Sequence, residues 1–137
     1  MSIKDTAWEF FEACETGKGG DVCQQWCHDG ATFSCQAAAL ADVTTAAGYA
    51  DWMKGILGLL PDGRYELKGF SADEERNTVT AAAVFHGTHT GEGGPIPPTG
   101  KSAATDYVYV FEFDGGKIRH MTKVWNDLPA LQALGWA

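Results

Sequence analysis

The chain reads as a single α+β domain in which a curved antiparallel sheet wraps over three N-terminal helices. Two observations predict this. Apolar residues in the first sixty positions recur at helical spacing, with Ala7, Phe10, Phe11 and Cys14 in one stretch and Tyr49, Trp52, Met53, Ile56 and Leu60 in another. From Arg64 onward the pattern changes to β-prone runs separated by short turns, of which TVTAAAVFH at 78–86 and DYVYVFEF at 106–113 are the clearest. A strongly curved sheet folded over the helices is the economical way to cover both layers, and it encloses a cone-shaped cavity.

Asp5 or Thr6 is expected to cap the first helix, and Gly17 to end it. Val22, Cys23, Trp26 and Cys27 define a short second helix stopped by Asp29 and Gly30, and residues 31–36 read as a first strand. Thr44 or Thr45 opens the third helix, which Pro61-Asp62-Gly63 closes. Strands follow over 65–72, 78–88, 103–113 and 117–125, and their short connections make them antiparallel neighbours. Asp127, Leu128 and Pro129 start a brief terminal helix, with Leu131, Leu134 and Trp136 supplying apolar contacts. No repeat or linker interrupts residues 1–137, so one domain is expected.

Composition excludes several classes of function. A chain of 137 residues buries roughly two-thirds of its unfolded surface without staples, so it has room for a small molecule inside. The net charge of −8 argues against nucleic acid as a partner. No apolar run is long enough to span a bilayer, and the opening MSIKDTAWEFFEA lacks the basic-then-apolar order of a secretory leader. A cytoplasmic protein with no membrane partner is expected. Cys14, Cys23, Cys27 and Cys35 cluster in the first quarter, but no second matching pair exists, so they read as core residues and no metal is expected.

The segment Gly87–Gly100, GTHTGEGGPIPPTG, joins two strands by a long glycine- and proline-rich hairpin that must project past the sheet edge. Histidines beside it are candidates for function. His86 and His89 differ by three and so point to opposite faces of an unbroken strand. His89 is either an acid, base or orienting group or a side chain that holds the hairpin. Asp106 shares its face with Val108 and Val110, while Tyr107, Tyr109, Phe111 and Phe113 occupy the other, so both faces are apolar. One is expected to cover the cavity and the other to be buried by helix or by a partner subunit. His120 and Asn126 lie in the cone if their face is inward, and on the outside otherwise. Trp8, Trp26, Tyr49, Trp52 and Trp125 are candidates to line a pocket for a flat apolar ligand, or are plain aromatic core. Asp42 and Glu92 read as turn and solvent residues. No Gly-x-Ser-x-Gly elbow supports nucleophilic catalysis, and the glycines of the hairpin precede no helix that could bind phosphate.

Three segments carry a family resemblance: GTHTGEGGPIPPTGK from Gly87 to Lys101, DGGKI from Asp114 to Ile118, and WNDLPALQALGW from Trp125 to Trp136. In order and spacing they resemble the SnoaL-like polyketide cyclases, within the nuclear transport factor 2-like superfamily and its cystatin-like roll. The resemblance implies an intramolecular aldol closure in which a strand Asp acts as acid and base beside a His, without metal or organic cofactor. The nearest Asp here is Asp106, while many relatives carry an acid about three positions on, where this chain has Tyr109. The resulting expectation is a cofactor-independent acid–base enzyme, cyclase or isomerase in type, acting on a hydrophobic carbonyl compound. Asp106 and His89 form the expected acid/base pair and Tyr109 the oxyanion donor. A homodimer through the convex face of the sheet is also implied. The alternative is a non-catalytic domain that binds a small molecule or a protein with the same cone.

Overall fold

The computed structural model describes residues 1–137. Helix α1 spans Ile3–Glu15 and presents Ile3, Ala7, Phe10, Phe11, Cys14 and Glu15 to the interior. Its cap is Ser2 rather than Asp5 or Thr6. Ser2 Oγ accepts from the Asp5 amide at 3.1 Å and the Asp5 carboxylate accepts from the Ser2 amide, a reciprocal box that satisfies two orphan donors. Helix α2, Gly20–Cys23, tightens into a 3-10 turn over Gln24–Trp26. The chain is already extended at Cys27, so strand β1 runs Cys27–Cys35 and takes in residues expected to end the helix. Helix α3 spans Ala46–Leu59, with Thr45 Oγ1 accepting from the Gly48 amide at 3.0 Å.

Strands β2 (Arg64–Asp73), β3 (Thr78–Thr88), β4 (Ser102–Asp114) and β5 (Lys117–Trp125) form an antiparallel meander. The curved, unclosed sheet has the order β1-β5-β4-β3-β2. The edge strand β1 joins β5 in parallel, a pairing that needs a long crossover and has one in α3 and the whole meander between them. Val79, Ala81, Ala83 and Phe85 of β3 and Tyr107, Tyr109, Phe111 and Phe113 of β4 alternate inward onto α1 and α3. Register sets Ala81 beside Tyr109 and Ala83 beside Tyr107, so small residues leave room for the tyrosine rings under α1.

A bulge on β5 shapes the interior. Phe113 pairs with Ile118 but Glu112 pairs with His120, which leaves one extra residue on β5. The inward phase therefore moves from Ile118 to Met121, Lys123 and Trp125. Without it Lys123 would face outward.

Helix α4, Asp127–Leu134, closes the open end of the cone. It stops at Gly135, which takes a left-handed φ of 78°, and the Trp136 amide reaches back to the Leu131 carbonyl at 2.8 Å. No helix is long and apolar enough to cross a membrane.

Candidate active site

The cone holds a cavity of about 60 Å³ between α3, the inner face of the sheet and α4. Thirteen of its 17 lining residues are hydrophobic, and Glu15 and Lys123 are the two that can carry charge near neutral pH. Both are almost fully buried, Glu15 at 2% and Lys123 at 6% relative exposure. A buried acid and a buried amine in one apolar chamber need local partners, because burial penalises each charge heavily.

Those partners are three tyrosines. Tyr107 Oη donates to Glu15 Oε1 at 2.5 Å, and Tyr109 Oη donates to the same carboxylate at 3.0 and 3.1 Å. Tyr49 Oη lies 2.5 Å from Tyr109 Oη, and Lys123 Nζ donates to Tyr49 Oη at 2.9 Å. Since the Tyr109 proton is committed to Glu15, Tyr49 must donate to Tyr109, and its own oxygen is free to accept from Lys123. The result is a directed chain, Lys123 to Tyr49 to Tyr109 to Glu15, along which a proton can pass between amine and carboxylate.

Burial raises the Glu15 carboxyl above its ordinary 4.5, against the hydrogen bonds from Tyr107 and Tyr109 and the charge of Lys123, which favour the anion. Burial pushes Lys123 down from 10.5 to about 8, with the Glu15 charge opposing. For both groups loss of water outweighs mutual attraction. The tyrosines are also pushed up by burial and by Glu15, so they remain donors. Lys123 makes no ion pair within 4 Å and instead lies over aromatic faces, 4.2 Å from the Trp125 ring centre and 5.2 Å from that of Trp52.

The residues expected from sequence divide. Tyr109, Trp52 and Trp125 line the cavity. Tyr49 is one layer behind them, stacked on Phe33 and Trp52. Asp106 is a correction: it is exposed on the outer face, opposite Val84, because it alternates with inward Tyr107. His89 is also not beside it. His89 is 1% exposed and sits in the hairpin, where Nδ1 accepts from the Trp136 indole at 3.0 Å and from the Thr99 amide at 3.2 Å. That geometry holds the hairpin and α4 together and leaves His89 outside the cavity wall. His120 lies outward, bracketed by Thr32 and Ser34 at 2.6 and 3.0 Å, because of the β5 bulge. Asn126 is exposed where α4 begins. Trp8 packs on Phe11, Tyr65 and Phe70, and Trp26 against the core, both away from the cavity. Asp106→Asn is therefore expected to leave the melting temperature and any activity of the cavity unchanged, within about 0.5 kcal/mol for stability. A thermal melt and an activity assay of that variant check this.

Sequence reasoning did not reach Glu15 or Lys123, although a signal existed for each. Glu15 is four residues beyond Phe11 and eight beyond Ala7, which puts a carboxylate inside the apolar stripe of α1. Lys123 alternates with Met121 and Trp125. No three His, Cys, Asp or Glu residues stand close enough together to hold a metal ion. Cys14, Cys23 and Cys27 are buried and unpaired with one another, consistent with core packing.

A family model described as SnoaL-like polyketide cyclase matches residues 6–134. Among solved structures, AclR of Streptomyces galilaeus, a proposed hydroxylase, superposes with a TM-score of 0.77 at 23% identity, covering 98% of this chain and 82% of its own. IdmH of Streptomyces antibioticus, a proposed polyketide cyclase, gives 0.76 at 18% identity over 98% of this chain and 99% of its own. A cystatin-fold protein of Novosphingobium aromaticivorans gives 0.65 at 19% identity, covering 90% and 97%. At these identities the likeness establishes the fold. No curated protein matches the sequence.

Proposed function

Because this chain belongs to the SnoaL-like polyketide cyclase family, we propose that it is an acid–base enzyme acting on a compact hydrophobic carbonyl compound, with Glu15 as the proton-transferring group. The observation that carries the proposal is the burial of one carboxylate, held by two tyrosine hydroxyls, in the wall of an otherwise apolar cavity. Maintaining such a group costs stability, and a carboxyl whose affinity for protons is raised by burial suits removal of a proton next to a carbonyl. Many relatives carry a strand acid where this chain has Tyr109, and Glu15 from α1 brings a carboxylate onto that tyrosine's hydroxyl.

In the proposed cycle Glu15 takes the proton from the carbon beside the carbonyl. The C–H electrons form the new double bond and the carbonyl electrons move to oxygen. The developing enolate sits near the Lys123 ammonium, a cation fixed in a site with little water. The protonated Glu15 then returns its proton, to an alkoxide after ring closure in a cyclase or to another carbon in an isomerase. All of these steps use side chains of the chain itself. Wild-type protein in D2O is expected to exchange the protons beside the carbonyl of cyclohexanone, followed by NMR, faster than buffer does. Exchange at the buffer rate across a panel of small cyclic ketones sinks the reading and favours a binding role for the cone.

We further propose a homodimer through the outer face of the sheet. Val84, Val108 and Val110 are only half-buried there, and Val124 is 59% exposed. The double variant Val108→Glu, Val124→Glu is expected to sediment as a monomer while wild type sediments as a dimer. Equal sedimentation of the two proteins would count against this interface.

A further inference from the structure

Resting on the reading of the cavity as an acid–base site, we infer that Lys123 is a covalent group, whose Nζ condenses with the carbonyl carbon of an aldehyde or ketone in the cavity to form an iminium ion. Three features of the site point this way. Lys123 is the buried member of the chain's lysines: Lys4, Lys18, Lys54, Lys68, Lys101 and Lys117 are all exposed. Lys123 lines the cavity, makes no ion pair within 4 Å, and has Tyr49 Oη as the hydrogen-bond partner of its Nζ. The partner begins the directed chain that ends on Glu15.

The chain supplies the proton movement that condensation needs. An ammonium cannot attack a carbonyl. Passing its proton through Tyr49 and Tyr109 to the Glu15 carboxylate leaves a neutral amine and a protonated acid with no change in net charge. The amine nitrogen then forms a bond to the carbonyl carbon, and the carbonyl electrons go to oxygen. Proton transfer from nitrogen to oxygen gives the neutral carbinolamine. Glu15 protonates the departing hydroxyl, the C–O bond breaks, and water and the iminium ion remain with Glu15 again a carboxylate. No oxidant or reductant enters.

The surroundings fit the product as well as the resting state. An iminium ion carries the same single positive charge as the ammonium it replaces. The faces of Trp125, Tyr49 and Trp52, 4.2 to 5.2 Å from Nζ, stabilise either cation. Glu15 is then placed to remove a proton from the carbon beside the iminium, which is more acidic than that of the parent ketone. The groups facing Nζ are Glu15 and Cys14 on α1, Cys35 on β1, Tyr49 on α3, and Tyr107 and Tyr109 on β4. Burial has already lowered the cost of the free amine, since a lysine near 8 holds on the order of 10² times more neutral amine at pH 7 than an exposed one.

Wild-type protein is incubated with cyclohexanone at pH 7 and reduced with cyanoborohydride, and the adduct is mapped by mass spectrometry. The expected result is one added ketone, less its oxygen, on Lys123, at least roughly ten-fold ahead of any exposed lysine on the free-amine argument. Lys123→Arg keeps the buried cation but forms no imine, and is expected to fold and to lose the label. Labelling spread evenly over exposed lysines, or none at Lys123, overturns the inference. If the unlabelled wild type still exchanges ketone protons, the acid–base reading survives alone; if it does not, both fall.

Discussion

Glu15→Gln is expected to abolish ketone proton exchange, with a loss on the order of 10³-fold, while making the folded protein more stable at neutral pH. The activity loss follows from chemistry, since an amide occupies the same space but cannot accept the proton. The gain in stability follows from linkage. The folded-state carboxyl titrates above its ordinary 4.5, so the folded protein binds that proton more tightly than the unfolded chain. The stability contributed by Glu15 is therefore full below 4.5 and is lost as pH rises through the folded value. Gln does not ionise, and its oxygen can still accept from Tyr107 and Tyr109. Glu15→Gln should melt higher than wild type at pH 7 to 8 by about 1 kcal/mol, or a few degrees, and the gain should vanish near pH 4. A pH series of thermal melts checks the sign. A variant that melts lower at pH 8 than wild type would show that Glu15 is held as a net stabilising anion, contrary to the buried-acid argument.

His89→Ala is expected to be the most destabilising single change outside the central core, at about 3 kcal/mol. Two half-buried donors, the Trp136 indole and the Thr99 amide, lose their acceptor together. The ring, which meets the Trp136 ring edge to face at 5.1 Å, leaves a void behind. Because Nδ1 accepts from both donors, its proton resides on Nε2, which is buried without a partner. The clamp joins two elements that also meet through the Thr99 hydroxyl, which donates to the Leu134 carbonyl at 2.7 Å. Its loss should therefore loosen α4 and the turn after it, which supply Ala130, Leu131 and Leu134, and Trp136, to the cavity wall. Urea unfolding and limited proteolysis near residue 130 measure both effects. Wild-type stability with unchanged proteolysis would mean that His89 holds nothing, and its role in chemistry would have to be reconsidered.

His89 and Asp106 show how much of the site was legible in sequence and where legibility stopped. The glycines and prolines of the hairpin announced a projecting loop, and the family motifs drew the eye to the histidine within it. The same residues serve to fasten the loop to the C-terminal turn. For Asp106 the alternation with Tyr107 and Tyr109 was visible, but one aromatic and one aliphatic face on β4 left open which face was inward. Only the packing of α1 against β4, with Phe11 on Tyr109 and Phe10 on Phe111, decides that the tyrosines face the helices.

Local chemistry, readable along the chain, determined the helices, the long strands and their antiparallel order, because caps, turn residues and hydrophobic period act over a few positions. The family motifs lie in such local segments too. The cavity is a different kind of object. Glu15 and Lys123 are separated by more than a hundred residues and joined by tyrosines from α3 and β4, and their phase depends on a single-residue bulge in β5. A one-residue slip reverses a strand's faces, and a buried charge is tolerated only where distant partners converge on it. The tertiary structure alone decided which acid and which amine would meet.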